Sequence, residues 1–362
     1  MKHDFSLILE KASRAPKSLD EEELAALLAC GDGSEEEKAL FEAAYKIKVF
    51  QVERNISVRG LIEAGNICQK DCYYCGIRKS NSSVVRYSLS KEKIVALAKQ
   101  AKDFGFASIV IQSGEIESGK HTDFIEEVLR EIAPLELGVT LSLGEQSCET
   151  LRRWREAGAA RYLLRIETSN KKLYSKLHPS DHSWERRVEV LKDLGDLGYQ
   201  VGTGVMIGLP GQTLNDLARD ILFFGSCDAD MIGMGPWIPH KDAPLKGEFD
   251  KFHALKLGLK MIAATRLYLH DINIAASTAL EALAANGRAL GILAGANVIM
   301  PNITDEQYKK AYNLYDGKPG VCESAWVARN LLDKKLGEIG EKILYAQRGD
   351  SLHYAKKSCC NK

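Results

Sequence analysis

Apolar residues follow two alternating patterns along the chain. Short apolar runs of the length expected for buried β-strands occupy residues 57–64, 107–112, 139–143, 161–167, 201–207, 231–235, 273–277 and 296–300. Between them, apolar residues recur at three- and four-residue steps, as in amphipathic helices, at 91–104, 122–133, 147–157, 183–197, 213–225, 252–269 and 280–290. Eight strands that alternate with helices predict an α/β fold, a closed parallel (βα)8 TIM-type barrel.

Helical patterns also flank the predicted barrel. Residues 18–50 are acidic and repeat leucine at helical spacing, which predicts two amphipathic helices, and two or three more are expected between residues 305 and 348. Proline and glycine are spread over the predicted turns and do not gather in one linker. We therefore predict an N-terminal helical extension at 1–55, the barrel at 56–303, and a C-terminal helical cap with a basic tail at 304–362.

The composition argues against several classes of partner. The 362 residues include 49 basic and 49 acidic side chains, so the chain lacks the positive excess typical of nucleic-acid-binding proteins. No run approaches the roughly 18 apolar residues of a membrane span, and the chain starts without an apolar signal segment. We expect a cytoplasmic protein that binds neither nucleic acid nor a membrane. Nine cysteines, three of them within eight positions, favour a metal or redox role over a disulfide framework.

The clustered cysteines Cys68, Cys72 and Cys75 follow the first predicted strand with the spacing C-x3-C-x2-C. A loop at the carboxyl end of a barrel strand lies on the face where barrel enzymes carry their active sites. Three thiolates on a four-iron cluster leave one iron without a protein ligand. S-adenosylmethionine (SAM) can chelate that iron through its amino and carboxylate groups, which predicts reductive SAM cleavage, with Tyr74 flanking the adenine.

Two structural interpretations compete with the cluster. A structural zinc ion requires four ligands, whereas this segment offers three cysteines and no neighbouring histidine. Three unrelated core cysteines are also conceivable, because single cysteines are commonly buried, but this spacing is improbable by chance.

A further candidate site lies in the predicted strand at 161–167. Period-two geometry places Arg161, Arg165 and Glu167 on one face, which in a barrel is the lumen. Burying such charges is costly unless they pair or bind a charged ligand, and arginine suits carboxylates. We expect Arg161 and Arg165 to hold a small anionic substrate, with an internal ion-pair network as the alternative. Arg187, in the helix that follows, could also reach a carboxylate.

The polar motifs recur at successive predicted strand ends. They comprise the cysteine motif with Arg78, followed by residues 112–115, 141–145, 161–165, 167–168, 208–213, 235–240 and 295–302. Over roughly residues 55–318 the chain resembles the HydE-type [FeFe]-hydrogenase maturases. It is similar also to biotin synthase and methylornithine synthase, which share the cysteine motif and the barrel plan but fit the later motifs less well.

The resemblance implies one [4Fe–4S] cluster and SAM in the lumen, beside a small substrate. It assigns Gly114, Glu115, Glu167, Arg187 and Met206 to SAM, with Met206 and the turn after it near the adenosine. It assigns Arg161, Arg165, Ser277, Thr278 and Tyr312 to the substrate. Members with a second cluster carry three more cysteines, whereas here only Cys322 lies in that segment and Cys359 and Cys360 look incidental.

The function implied by the resemblance is a step in building the diiron subcluster of [FeFe]-hydrogenase. The substrate would be an iron complex with carbonyl and cyanide ligands that carries cysteine, and the 5′-deoxyadenosyl radical would attack the cysteine sulfur. Partners would be a reductant such as flavodoxin or ferredoxin and other hydrogenase maturation proteins. Two alternatives remain: a radical SAM mutase or lyase acting on a free amino acid, as methylornithine synthase does, and a non-catalytic iron–sulfur or zinc protein.

Overall fold

A computed structural model of the chain describes residues 4–320 and 325–360. Cys322 lies outside these ranges, and the side chains of Cys359 and Cys360 lie outside the described part as well. The predictions for these three cysteines therefore stay predictions. No described helix is both long enough and apolar enough to cross a membrane.

The described residues form a closed ring of eight parallel strand positions. The first position consists of β1 (Asn55–Val58) and β2 (Gly60–Gly65), and the next six are β3 (Ser108–Ser113), β4 (Gly138–Ser142), β5 (Ala159–Leu163), β6 (Gln200–Thr203), β8 (Met231–Ile232) and β10 (Asn273–Ile274). The eighth, β11 (Val298–Ile299), pairs with β1 and bridges to Ala275, which closes the ring. Short strands β7 (Met206–Ile207) and β9 (Gly235–Pro236) pair beyond β6 and β8. The predicted (βα)8 TIM-type barrel is confirmed.

Helices connect the strands and flank the barrel. They are α1 (Phe5–Arg14), α2 (Glu21–Leu28), α3 (Glu35–Val52), α4 (Lys91–Asp103), α5 (Gly119–Ile132), α6 (Cys148–Glu156), α7 (Lys171–Leu177), α8 (Trp184–Asp196), α9 (Leu214–Ser226), α10 (Lys251–Tyr268), α11 (Thr278–Leu283), α12 (Gly287–Leu293), α13 (Glu306–Lys309), α14 (Ala325–Glu338) and α15 (Leu352–Cys360). Most begin after a capping side chain: Ser90, Ser118, Ser147 and Ser183 each accept a hydrogen bond from a first-turn amide.

Several elements differ from the sequence prediction. The helix predicted at 280–290 is split into α11 and α12, because the backbone leaves the helical conformation at Ala284, where φ is −148° and ψ is 139°. Gly287 then lies so close to Leu280 that a side chain at position 287 would meet the Leu280 carbonyl oxygen at 1.9 Å. Helices α1, α7 and α15 and a strand β12 (Lys342–Leu344), which pairs with β1, were not predicted. The apolar faces of α2 and α3 join the main hydrophobic core, so the N-terminal extension packs on the barrel.

The C-terminal chain closes the amino-terminal mouth of the barrel. After β12, residues 346–351 cross beneath the first residues of several strands. Ser108 Oγ donates to the carbonyl of Arg348 at 2.7 Å, and Asn273 Nδ2 donates to that of Gly349 at 2.9 Å. Because Ser108 and Asn273 each start a strand, this closure lies opposite the mouth formed by the strands' carboxyl ends.

Candidate active site

A cavity of about 340 Å³, open to solvent, lies at the carboxyl ends of the barrel strands. It contains every predicted site residue except Arg161: Cys68, Cys72, Tyr74, Cys75, Gly114, Glu115, Arg165, Glu167, Arg187, Met206, Ser277, Thr278 and Tyr312. The closed barrel brings together strand ends that lie far apart in the sequence, as expected for this fold.

The cysteine loop leaves β2 and is braced by the side chains of Asn66 and Arg86. Asn66 Nδ2 donates to the carbonyls of Val85 and Ala311, both at 2.8 Å. The guanidinium of Arg86 donates to five carbonyl groups between residues 66 and 81. Gly114 allows the neighbouring turn to approach the loop, because a side chain there would meet the carbonyl oxygen of Ile67 at 2.2 Å. The loop backbone is thus held from both sides.

The three loop cysteines are free thiols that line the cavity. Burial raises the pKa of Cys72 to about 12, and burial together with the other two thiols raises the pKa of Cys75. In the ranges 4–320 and 325–360, no group of three or more His, Cys, Asp and Glu side chains has the geometry of a site for one metal ion. The donor set of three thiols on one loop fits an iron–sulfur cluster, whose positive charge would favour the thiolate form.

A network of four charged side chains lies beside the cysteine loop. Lys70 Nζ is 3.3 Å from Glu115 Oε1 and 3.3 Å from Glu145 Oε2. Arg187 Nε donates to Glu145 Oε1 at 2.7 Å. Burial raises the pKa of Glu115, whereas Arg187 and Lys70 together outweigh burial at Glu145 and lower its pKa. Lys70 and Glu145 were not predicted as site residues, although Glu145 follows a strand in one of the quoted motifs.

Arg165 and Glu167 form the next part of the wall. Arg165 Nη2 is 3.0 Å from Glu167 Oε2, at an angle that does not make a hydrogen bond. Arg165 Nε and Nη2 and Glu167 Oε2 therefore form no hydrogen bond within the described residues. Burial raises the pKa of Glu167, although Arg165 and Arg187 oppose the increase. Buried polar atoms are rarely left unsatisfied, so these three atoms point to a ligand.

An apolar wall adjoins the cysteine loop. Met206 and Trp237 belong to a small hydrophobic cluster against which Tyr74 packs. The Tyr74 ring also meets His178 edge to face, with centroids 5.5 Å apart. Such a surface suits a flat aromatic group.

Three residues with hydroxyl groups, Ser277, Thr278 and Tyr312, also line the cavity. Ser277 Oγ is buried and forms no hydrogen bond in the part of the chain that the structure describes. Thr278 Oγ1 accepts from Arg288 Nη2 at 3.2 Å, and Tyr312 is buried in the wall. Two charged wall residues, Glu63 and Lys318, were not predicted because the sequence separates them by 255 positions.

The prediction that Arg161 binds the substrate is wrong. Its guanidinium is fully buried, forms an ion pair with Asp350, and donates to the carbonyl of Arg348 at 2.8 Å. These partners belong to the segment that closes the opposite mouth. Strand rise is about 3.3 Å per residue, so Arg165 lies up to about 13 Å farther along the chain than Arg161, and only Arg165 lines the cavity.

Comparisons with known proteins agree with this geometry. The family model described as the Radical SAM superfamily matches residues 62–224, which include the cysteine loop. The [FeFe] hydrogenase maturase subunit HydE of Thermotoga maritima is 43% identical over 335 residues, covering 92% of this chain and 94% of that protein. The chain belongs to the HydE family of radical SAM enzymes. The sequence similarity to HydE therefore extends over the whole barrel.

More distant relatives share the fold of this HydE-family enzyme. The 3-methylornithine synthase of Methanosarcina acetivorans is 27% identical over 303 residues, covering 82% of this chain and 83% of that protein. The crystal structure of methylornithine synthase (PylB) superposes with a TM-score of 0.81 at 23% identity, covering 97% of this chain and 99% of that one. Radical SAM enzymes in general use a [4Fe–4S] cluster and SAM, and the free thiols and unsatisfied polar atoms of the cavity fit both groups.

Proposed function

We propose that this HydE-family enzyme is an [FeFe]-hydrogenase maturase that acts on a cysteine-bearing iron carbonyl–cyanide complex. The observation that carries the proposal is the 43% identity to the Thermotoga maritima protein over 92% of the chain, which spans every wall of the cavity. In this proposal the cavity holds one [4Fe–4S] cluster on Cys68, Cys72 and Cys75, with SAM and substrate above it. When bound, the reduced cluster supplies the electron that cleaves SAM to the 5′-deoxyadenosyl radical.

The chain's own residues would hold SAM between the polar network and the apolar wall. Glu115, Glu167 and Arg187 would bind its polar groups, and Gly114 leaves room for close backbone approach. Glu167 Oε2 supports this assignment, because it is buried and paired with Arg165 without a hydrogen bond, so it can still accept one from a ligand. Tyr74 and Met206 would contact the adenosine.

The substrate end of the cavity would be formed by Arg165, Ser277, Thr278 and Tyr312. Arg165 Nε and Nη2 form no hydrogen bond within the described residues, which supports a carboxylate ligand, since a guanidinium fork matches a carboxylate with two parallel hydrogen bonds. The unpartnered hydroxyl of Ser277 would add a third polar contact. The electron donor would be a flavodoxin or ferredoxin, and other hydrogenase maturation proteins would supply the substrate and receive the product.

The test is anaerobic reconstitution with iron and sulfide, followed by measurement of iron content and of 5′-deoxyadenosine after reduction with SAM. We expect about four irons per chain, and SAM cleavage that disappears in Cys72→Ala. Cys148→Ala is the matched control, because Cys148 is exposed and lies outside the cavity. Loss of cleavage in both variants, or in neither, would contradict the cluster assignment.

The substrate is tested in the same assay with a synthetic iron(II) carbonyl–cyanide complex of L-cysteine and, separately, with L-lysine. Faster 5′-deoxyadenosine formation with the iron complex is the expected result. Acceleration by lysine and none by the iron complex would replace the maturase with an enzyme acting on a free amino acid.

A further inference from the structure

A buried lysine enters the cavity from the segment that follows α13. The Lys318 side chain is 9% exposed and lines the cavity. Its Nζ forms an ion pair with Glu63 and donates to the carbonyl of Tyr312 at 2.8 Å. The same ammonium lies 5.1 Å from the centroid of the Tyr312 ring. Lys318 is thus fixed against a residue already assigned to the substrate pocket.

The partner carboxylate, Glu63, lies on β2 just before the cysteine loop and is 2% exposed. One of its oxygens pairs with Lys318, while Oε2 forms no hydrogen bond within the described residues. Burial raises the pKa of Glu63, although Lys318 opposes the increase. A buried ion pair contributes little net stability, because desolvation offsets the attraction. A contribution to folding stability is therefore a weak explanation for this ion pair in the cavity wall.

Within residues 4–320 and 325–360, the ammonium of Lys318 has two hydrogen-bond acceptors, which leaves its third N–H donor for a ligand. Nitrogen Nζ carries three donors, and Glu63 and the Tyr312 carbonyl use two of them. Arg165 also lines this cavity, and its Nε and Nη2 form no hydrogen bond within the described residues. The cavity therefore presents two cationic groups with donors available to a ligand.

We infer that Lys318 is a second substrate-binding cation, which acts together with Arg165, and that Glu63 is a positioning residue for it. The inference rests on the proposed function and specifies the substrate class further. A substrate that binds both cations carries a carboxylate at one end and anionic or electron-rich ligands, such as cyanide, at the other. A free amino acid offers a single carboxylate and engages Arg165 without engaging Lys318. Lys318 thereby makes the cavity bind the iron complex more tightly than free cysteine.

The experiment uses equilibrium dialysis to measure the dissociation constants of two probes for the anaerobically reconstituted protein with SAM. The probes are the synthetic iron(II) carbonyl–cyanide complex of L-cysteine, and L-cysteine alone. In Lys318→Met we expect the dissociation constant of the complex to rise about tenfold or more, the effect of losing one charge-assisted hydrogen bond, and that of L-cysteine to change less than about twofold. Arg165→Gln should raise the dissociation constants of both probes. Lys310→Met is the matched control, because Lys310 is exposed and outside the cavity, and should weaken neither.

Further variants separate binding from folding. Lys318→Arg keeps the charge and should recover part of the affinity for the complex, whereas a packing defect would not be repaired by the larger side chain. Glu63→Gln should weaken the complex less than Lys318→Met does. If Lys318→Met binds the complex as well as wild type, or weakens both probes equally, the inference is overturned while the proposed function stands. If wild type neither binds nor processes the complex, the proposed function fails, and the inference fails with it.

Discussion

Arg161 and Arg165 are four residues apart on one strand position, yet they have different partners. Arg161 pairs with Asp350 and donates to the carbonyl of Arg348, while Arg165 pairs with Glu167 without a hydrogen bond. Strand periodicity places both on the lumen side but does not say at which end of the barrel each lies. At the scale of single residues, burial of a charge therefore indicates function only after its partners are known.

Asp350→Asn is expected to reduce stability without reducing SAM cleavage. Removing one partner of a fully buried ion pair costs about 3–5 kcal/mol, but Asp350 is 45% exposed, so we expect a decrease of about 1–2 kcal/mol in the free energy of unfolding. Urea titration and 5′-deoxyadenosine formation are the two measurements. Arg165→Gln should show the reverse pattern, with unchanged unfolding and weakened substrate binding. Impaired SAM cleavage in Asp350→Asn would contradict the prediction and would indicate that the Arg161 ion pair contributes to the active site.

Helix α9 braces the turn that carries Glu167. Glu167 has a φ of +66°, a conformation that non-glycine residues rarely adopt. Asp220, buried on α9, accepts hydrogen bonds from Ser169 N and Oγ, both at 2.6 Å. From α8, Trp184 Nε1 donates to the carbonyl of Thr168 at 3.2 Å. At the scale of elements, the helices outside the barrel thus hold a strained turn whose side chain faces the cavity.

Asp220→Asn is expected to make stability less dependent on pH. Burial raises the pKa of Asp220 to about 7, so the folded protein keeps a proton that the unfolded chain loses. This carboxyl therefore lowers stability as pH rises from about 4 to about 7, by at most about 4 kcal/mol at roughly 1.4 kcal/mol per pKa unit. The asparagine oxygen can still accept from Ser169.

Urea unfolding at pH 5.5 and pH 8 measures this effect. Relative to wild type, Asp220→Asn should gain stability at pH 8 and gain less at pH 5.5. The exposed Asp196→Asn is the control and should show no such difference between the two pH values. A pH response identical to that of wild type would show that Asp220 does not titrate in this range.

The two mouths of the barrel have different roles. The carboxyl-end mouth opens into the cavity, and the amino-end mouth is covered by residues 346–351. Besides Arg161, the covering segment contacts Gln200, whose Nε2 donates to Asp350 Oδ1 at 2.6 Å and whose Oε1 accepts from Ser351 N at 3.1 Å. At the scale of the whole molecule, the C-terminal segment is thus part of the barrel's structure.

Truncation after Tyr345 is expected to lower the apparent Tm by several degrees or more. It removes the acceptors of buried donors on four strands, and each unsatisfied buried group costs about 1–3 kcal/mol. Differential scanning calorimetry is the measurement. Truncation after Ser351 keeps the covering segment and removes α15, so it should cost less. Equal losses in the two truncations would assign the stabilisation to α15 instead.

Much of the fold was predictable because its signals are local. Each of the eight predicted strand segments overlaps an observed strand, since period and turn residues are properties of neighbouring positions. The predicted helix at 280–290 is interrupted at Ala284, where the backbone becomes extended, a change that the periodicity of apolar residues does not register. Helix α7, with seven residues, was too short to show a clear period.

The sequence by itself determined the order of strands and helices, the placement of Cys68, Cys72 and Cys75 on one loop, and the resemblance to the HydE family. These follow from spacings of a few residues. The tertiary structure alone decided that Arg161 pairs with Asp350 and that Lys318 meets Glu63, because those partners lie 189 and 255 positions apart. Closure of the barrel brings such residues together, and no local spacing along the chain records which strand ends will face each other.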